Sequence, residues 1–384
     1  MNAGIKSRAS SPPPNRHIPG LDGIRGLAIL LVMVFHMTVI EGGPLLDRLW
    51  IGAANVGWAG VDLFFVLSGF LITGILFDSK GSDGYFRNFY ARRVLRIFPL
   101  YYSVVFVCLV ILPLIDHPRI RSQGAVPGDE IWYWTYLSNF SIAHHHQFRH
   151  AILDISWSLA IEEQYYLVWP LVVLFLSRRA LIRVCVGLIG AAVVFRCALL
   201  LADVHPVAIY VITPSRMDAL ALGSLLALLD RGEGGLRAWT GFARRGLAAT
   251  GVAFAGILLW QRGPANYSPV MQAVGYTTAA LFFGALLVLV VGSPAGSAIP
   301  RMFEGRFFRT LGRFSYALYL CHLPVRSSFR GVIFPPDRFF TVFGSKLPAL
   351  LVFYLLAMSA SLLLAWLSWH ACEKHFLKLK RFFR

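Results

Sequence analysis

Residues 20–40 read GLDGIRGLAILLVMVFHMTVI. From Leu27 to Phe35 no polar side chain interrupts the run, and the whole stretch matches the ~20 residues a helix needs to cross hydrocarbon. Arg25 and His36 lie within it, eleven residues apart. In a straight α-helix that spacing is about 20° past three full turns, with a rise of roughly 16 Å. Both side chains therefore share one stripe at different depths. A charged side chain in hydrocarbon costs roughly 2.5–3.5 kcal/mol on insertion scales, so ionisable residues in spans face a protein interior and have partners. The stretch points to a membrane helix that carries part of a functional site.

The rest of the chain agrees with that reading. Of its 384 residues 57% are hydrophobic and 14% charged, which suits a polytopic membrane protein and not a soluble multidomain enzyme. Apolar runs bounded by charge or turn residues predict an all-α integral membrane protein, a bundle of about ten spans near 22–41, 56–77, 97–115, 155–176, 181–201, 208–229, 245–261, 270–291, 311–331 and 347–370. The net charge of +17 sorts by side. With the N-terminus inside, 21 Lys/Arg fall in cytoplasmic segments, seven in external ones and eight within spans, of which Arg25, Arg196 and Arg216 lie away from the ends that Arg183, Arg245, Arg313, Arg326 and Arg330 occupy. This asymmetry predicts an N-in, C-in topology and removes the case for a nucleic-acid partner.

Residues 1–18, rich in Pro and Ser, are expected to form a disordered cytoplasmic lead without a cleavage site. Residues 19–376 form one membrane domain, and 377–384 a basic cytoplasmic tail. The five cysteines are scattered through apolar segments without CxxC spacing, as buried small apolar residues are. The longest external connection, about 116–154, contains IWYWTYLSNF, whose aromatics suit an interfacial or re-entrant cover. Its run His144-His145-His146 reads as solvated loop, since consecutive residues point apart and no recurrent ligand spacing accompanies them. No metal site is expected.

Topology divides the intramembrane polar residues by depth. Arg25 belongs near the cytoplasmic face with Arg93 and Arg96, which are three apart and share a helix face. Guanidinium groups bind phosphate bidentately, so this inner group suits a polyanionic cytosolic donor, although the segment around it also reads as an interfacial anchor. His36 belongs to the outer part, where the predicted topology also brings Asp62, Ser158, Glu162, Glu163, Arg216 and Asp218. A histidine, carboxylates and a hydroxyl are the parts needed to take a proton from an alcohol. A carboxylate on one imidazole nitrogen fixes the tautomer and leaves the other free as a base; Asp62, Glu162 and Glu163 are the candidates. A purely structural reading pairs Arg216 with Asp218 or Glu163. Ser315, Tyr319 and His322, at i, i+4 and i+7, form a polar stripe that serves either catalysis or interhelical hydrogen bonding.

Six motifs in order carry a family resemblance: Arg25-x10-His36, GVDLFFVLSGFLI (60–72), RRVLRIFPLYY (92–102), SWSLAIEEQYYLVWP (156–170), RMDALALG (216–223) and SYALYLCHLPV (315–325). Over about 18–376 the chain resembles the membrane acyltransferase 3 family. The resemblance implies transfer of an acyl group, commonly acetyl, from cytosolic acyl-CoA to a hydroxyl of a sugar or other acceptor, in a bacterial cytoplasmic membrane. It implies that His36 is the catalytic histidine, that Arg25 is a donor-binding or pathway residue, that Arg93 and Arg96 are the family's paired arginines at the cytoplasmic side, where they serve the donor, and that Glu162 or Glu163 is the family's acidic position. Acyl-CoA is then a co-substrate, with no tightly bound cofactor. The expected partners are membrane lipid and a glycan, a lipid-linked saccharide or a glycosylated small molecule. The sequence shows no extracellular esterase-like domain after the last span, which favours an enzyme acting alone. The rival reading, a transporter or flippase of a polar substrate, predicts internal repeats with broken helices in corresponding halves. No convincing repeat is visible.

Overall fold

The computed structural model describes residues 18–115, 128–261 and 266–383. Among these the chain is helical, and its single β feature is an isolated bridge between Val342 and Ser345. Helix α1 spans Pro19–Met37, with Pro19 at its first turn, where a missing N–H costs nothing. Then follow α2 (Leu45–Ala54), α3 (Gly60–Asp78) and α4 (Tyr85–Phe106), which runs on through a π turn to Leu114. Two short helices, α5 (Glu130–Trp134) and α6 (Ser138–His145), precede α7 (Ser156–Phe175) and α8 (Arg178–Leu201).

The chain continues through α9 (Pro206–Val211), α10 (Met217–Asp230), α11 (Thr240–Trp260), α12 (Tyr276–Gly292), α13 (Ala298–Phe303), α14 (Arg306–Arg313), α15 (Ser315–Ser328), α16 (Leu347–Ser368) and α17 (Lys374–Lys378).

Among the described residues, seven helices are long and apolar enough to cross a membrane: 19–37, 45–78, 85–114, 178–201, 235–260, 271–292 and 347–382. The protein is an all-α membrane protein. The three remaining expected spans are helical but differ in form. Helix α7 is full length yet carries Glu162 and Glu163. The expected span 208–229 is broken: Ile212 is extended, Pro214 opens a short 3-10 turn at Thr213–Arg216, and α10 begins only at Met217. The expected span 311–331 breaks at Phe314, between α14 and α15.

Helices α3 and α10 lie side by side. Their approach requires glycine on both. A Cβ at Gly69 would stand 2.0 Å from Leu220 O, and one at Gly223 would stand 2.0 Å from Val66 O. The paired small residues let the backbones touch, as in close-packed membrane helices. Helix α1 packs against α3, α14 and α15 and is buried along Gly20, Ile24, Ala28 and Val32. Of the segment 116–154 expected as an outer cover, 116–127 lie outside the described residues, and the rest is packed in at some positions and exposed at others, such as Ile131. Ser138 and Asn139 are fully buried, and Tyr101 and Tyr102 donate to the carbonyls of Tyr133 and Trp134. The run expected to be solvated loop is only partly so: His144 and His146 are exposed, but His144 and His145 lie in the last turn of α6, and His145 Nε2 lies 3.3 Å from Asp129 Oδ1.

Candidate active site

Helices α1, α3, α4, α7 and α15 enclose a cavity with about 820 Å³ of empty space, the open mouth included. Arg25 reaches it from α1, and Arg93, Arg96 and Ile97 from α4. Helix α3 contributes Phe64, Phe65, Ser68 and neighbouring apolar residues. Helix α7 contributes Ser158, Glu162 and Tyr166, which are four apart and so share a face. Helix α15 contributes Ser315, Tyr316 and Tyr319. The expected grouping of Arg25 with Arg93 and Arg96 is present in three dimensions.

The arginines are held in different ways. Arg25 Nη1 is 3.1 Å from Asp22 Oδ1, one turn earlier on α1. Arg93 lies 5.8 Å over the rings of both Phe89 and Tyr166, an arrangement in which ring quadrupoles favour the cation. Glu162 sits within electrostatic reach of Arg93 and Arg25 and beside the Ser68 and Tyr166 hydroxyls, which hydrogen-bond to each other. Its place is therefore with the arginines, not in a separate group with His36. Depth along a span suggested otherwise, but facing decides. Glu163, about 100° further round α7, does not line the cavity; it lies within electrostatic reach of Arg93 and Glu162 as well as of Tyr101, Tyr102, Tyr136 and Tyr316.

Asp62 is also not a partner of His36. It is completely buried, with Oδ1 2.7 Å from Arg216 Nη2. The Arg216 guanidinium is surrounded by Tyr276 at 4.2 Å, Tyr210 at 5.1 Å and Phe65 at 5.8 Å. Asp218 does not pair with Arg216; its Oδ2 takes Arg196 Nη1 at 2.9 Å and the Thr277 hydroxyl at 2.5 Å. Arg196 also donates to Ser215 O and Thr277 Oγ1. These two ion pairs tie α3, α8, α10 and α12 together, the structural role weighed above for Arg216 and Asp218. The break before Met217 is what sets Arg216 at the head of α10.

His36 meets another imidazole. Its Nδ1 is 3.2 Å from His322 Nε2 and 3.0 Å from Val32 O. His322 is fully buried on α15, whereas His36 is partly accessible. Neither histidine lines the cavity, whose wall on that side is Tyr319, 6.1 Å from the His322 ring and 5.9 Å from Phe64. The Ser158 and Tyr319 hydroxyls meet at 2.6 Å. The stripe Ser315, Tyr319, His322 thus splits: two residues face the cavity and the third faces His36. Sequence reasoning did not single out Ser68 or Tyr166; the i, i+4, i+8 spacing of Ser158, Glu162 and Tyr166 was the available signal.

Residues 18–370 match the family described as acyltransferase domain. The chain belongs to the acyltransferase 3 family. YrhL of Bacillus subtilis (strain 168) is 33% identical over 326 residues, which cover 81% of this chain and 49% of that protein. Peptidoglycan O-acetyltransferase OatA of Listeria monocytogenes serovar 1/2a is 29% identical over 81% of this chain and 49% of its own length. O-acetyltransferase OatA of Staphylococcus aureus (strain NCTC 8325) is 28% identical, with 81% and 51% covered. The chain spans about half the length of these relatives. No solved structure matches it. Against this acyltransferase 3 background, five of the six motifs contribute to the cavity wall, those on α1, α3, α4, α7 and α15, and only RMDALALG (216–223) does not.

Proposed function

We propose that the chain is an O-acyltransferase that moves an acyl group, acetyl in the first instance, from acyl-CoA to a hydroxyl of a sugar or glycan at or across a bacterial cytoplasmic membrane. The observation that carries this reading is the cavity with Arg25, Arg93 and Arg96 in its wall and Tyr319 separating it from His36 and His322. Arginine clusters bind phosphate through paired N–H donors. The donor's phosphates take the arginine end, and its thioester arm runs along the cavity towards Tyr319. Arg25 and His36 are roughly 16 Å apart along α1, a span suited to an extended thiol arm.

On the far side of Tyr319, whose side chain swings aside to admit the thioester, His36 takes the proton of the acceptor hydroxyl, the oxygen attacks the thioester carbonyl carbon, and the thiolate leaves. Two relatives named as O-acetyltransferases, one of them acting by name on peptidoglycan, support a glycan acceptor. A ten-span, N-in and C-in topology, supported by the charge asymmetry of the loops, puts the arginine end on the cytosolic side, where acyl-CoA is found. The test is transfer of label from radiolabelled acetyl-CoA to a candidate glycan by purified protein. Transfer that is lost in His36→Ala supports the reading. Absence of transfer from acetyl-CoA with several glycan acceptors, or an unimpaired His36→Ala, overturns it.

A further inference from the structure

We infer that His322 is a positioning residue that fixes which nitrogen of His36 is free to react; the inference deepens the assignment of His36 as the base. Two carbonyl contacts determine where the protons lie. A carbonyl oxygen can only accept, so His322 Nδ1, 2.9 Å from Leu318 O, carries the hydrogen. In the neutral ring Nε2 is then a lone-pair acceptor. His36 Nδ1 faces two acceptors, Val32 O at 3.0 Å and His322 Nε2 at 3.2 Å, so Nδ1 carries the hydrogen and shares it between them. His36 Nε2 is left as the basic nitrogen, on the accessible member of the pair.

The two acceptors do different things. Val32 lies one turn back on α1 and moves with His36. His322 lies on α15, 286 residues away in sequence, so it ties the imidazole to a second helix and restricts rotation of the ring. Its ring is centred 5.1 Å from that of His36 and tilted at 47°, not stacked. This is the job a carboxylate does in many histidine bases, performed here by a neutral group that needs no counter-cation in a buried site.

In the transfer step the acceptor O–H bond breaks and its proton goes to His36 Nε2 as the new C–O bond forms. The imidazolium keeps its Nδ1–H on His322 Nε2. The C–S bond then breaks, and the thiolate sulfur recovers the proton from His36 Nε2. His322 accepts a hydrogen bond throughout and exchanges no proton.

The test combines two readouts on the full chain in detergent. With ¹⁵N-labelled histidine, and His36→Ala and His322→Phe to assign signals, both rings should be neutral with hydrogen on Nδ1. A hydrogen-bond coupling should link His36 Nδ1 to His322 Nε2. Hydrogen on Nε2 of either resting ring overturns the inference, whatever donor the enzyme uses. In acetyl transfer, His322→Phe keeps a flat ring without an acceptor and should lower kcat on the order of 10²-fold, with the KM for acetyl-CoA unchanged within about twofold. His322→Gln, which puts an amide near the position of Nε2, should recover activity to within about tenfold of wild type. A fully active Phe variant, or a Gln variant as impaired as Phe, overturns the positioning role. If the wild-type protein transfers nothing from acetyl-CoA, the donor reading fails, and the proton positions still decide this inference.

Discussion

The Tyr319 hydroxyl lies 2.6 Å from Ser158 Oγ, and both hydroxyls lie against one carbonyl, Ile155 O, at 3.1 Å and 3.4 Å. These contacts hold the tyrosine as the wall between the arginine-lined cavity and the two histidines. Tyr319→Ala should enlarge the space for the acyl chain, raising the ratio of butyryl to acetyl transfer roughly tenfold, about what room for one or two methylenes contributes. Competition between butyryl-CoA and acetyl-CoA measures it. An unchanged ratio would mean that the acyl chain does not reach this wall.

Arg25→Ala and Arg93→Ala should each raise the KM for acyl-CoA about tenfold or more, with a smaller effect on kcat, as loss of donor binding does. Arg93→Lys should recover only part, because an ammonium lacks the planar fork and stacks less well on Phe89 and Tyr166. Initial rates against donor concentration, at two salt concentrations, check both statements. Equal KM values in Arg93→Lys and wild type would argue for a simple point charge.

Arg216→Ala should destabilise the protein by about 3–5 kcal/mol, since it strands Asp62 in a site with no water access. Replacing the pair together, Arg216→Met with Asp62→Leu, should restore much of that loss. Thermal unfolding in detergent, followed by monodispersity, distinguishes them. A double variant no better than the single one would point to a role for Arg216 beyond holding Asp62.

Asp154 stands at the entry to α7 and accepts from the Tyr133 hydroxyl at 3.0 Å and from His150 N–H at 2.7 Å. Burial pushes its carboxyl up to about 7, with the nearby Asp129 adding to the rise and Arg149 opposing it. The folded form therefore binds the proton more tightly than the unfolded chain. This contribution favours folding at low pH and is lost as pH rises towards 7. Hydrogen exchange across 128–155, corrected for intrinsic rates, should be slower at pH 5.5 than at pH 8, and Asp154→Asn should flatten the difference. The same difference in the Asn variant would assign it to another group.

Helical spacing made much of this molecule legible. Arg93 and Arg96 on one face, and Arg25 on the His36 stripe, followed from 3.6 residues per turn, and the apolar runs gave the class of fold. What failed was facing across helices. Glu162 and Glu163 are neighbours in sequence and both lie within electrostatic reach of Arg93, yet only Glu162 lines the cavity. Asp62 and Arg216 are 154 residues apart, and nothing local to either identifies the other. The break at Ile212 was written in TPSR, where Pro214 cannot continue a helix from before it. A hydrophobic run on both sides hid that signal.

The Val32 carbonyl that orients His36 belongs to the same helix as Arg25. Helix α1 is consequently a ruler: the number of residues between its two polar groups sets both reach and compass bearing. One alanine inserted between them would swing His36 by about 100° away from His322 and lengthen the interval by about 1.5 Å, without altering a single side chain of the site. In this family member, counting matters as much as chemistry.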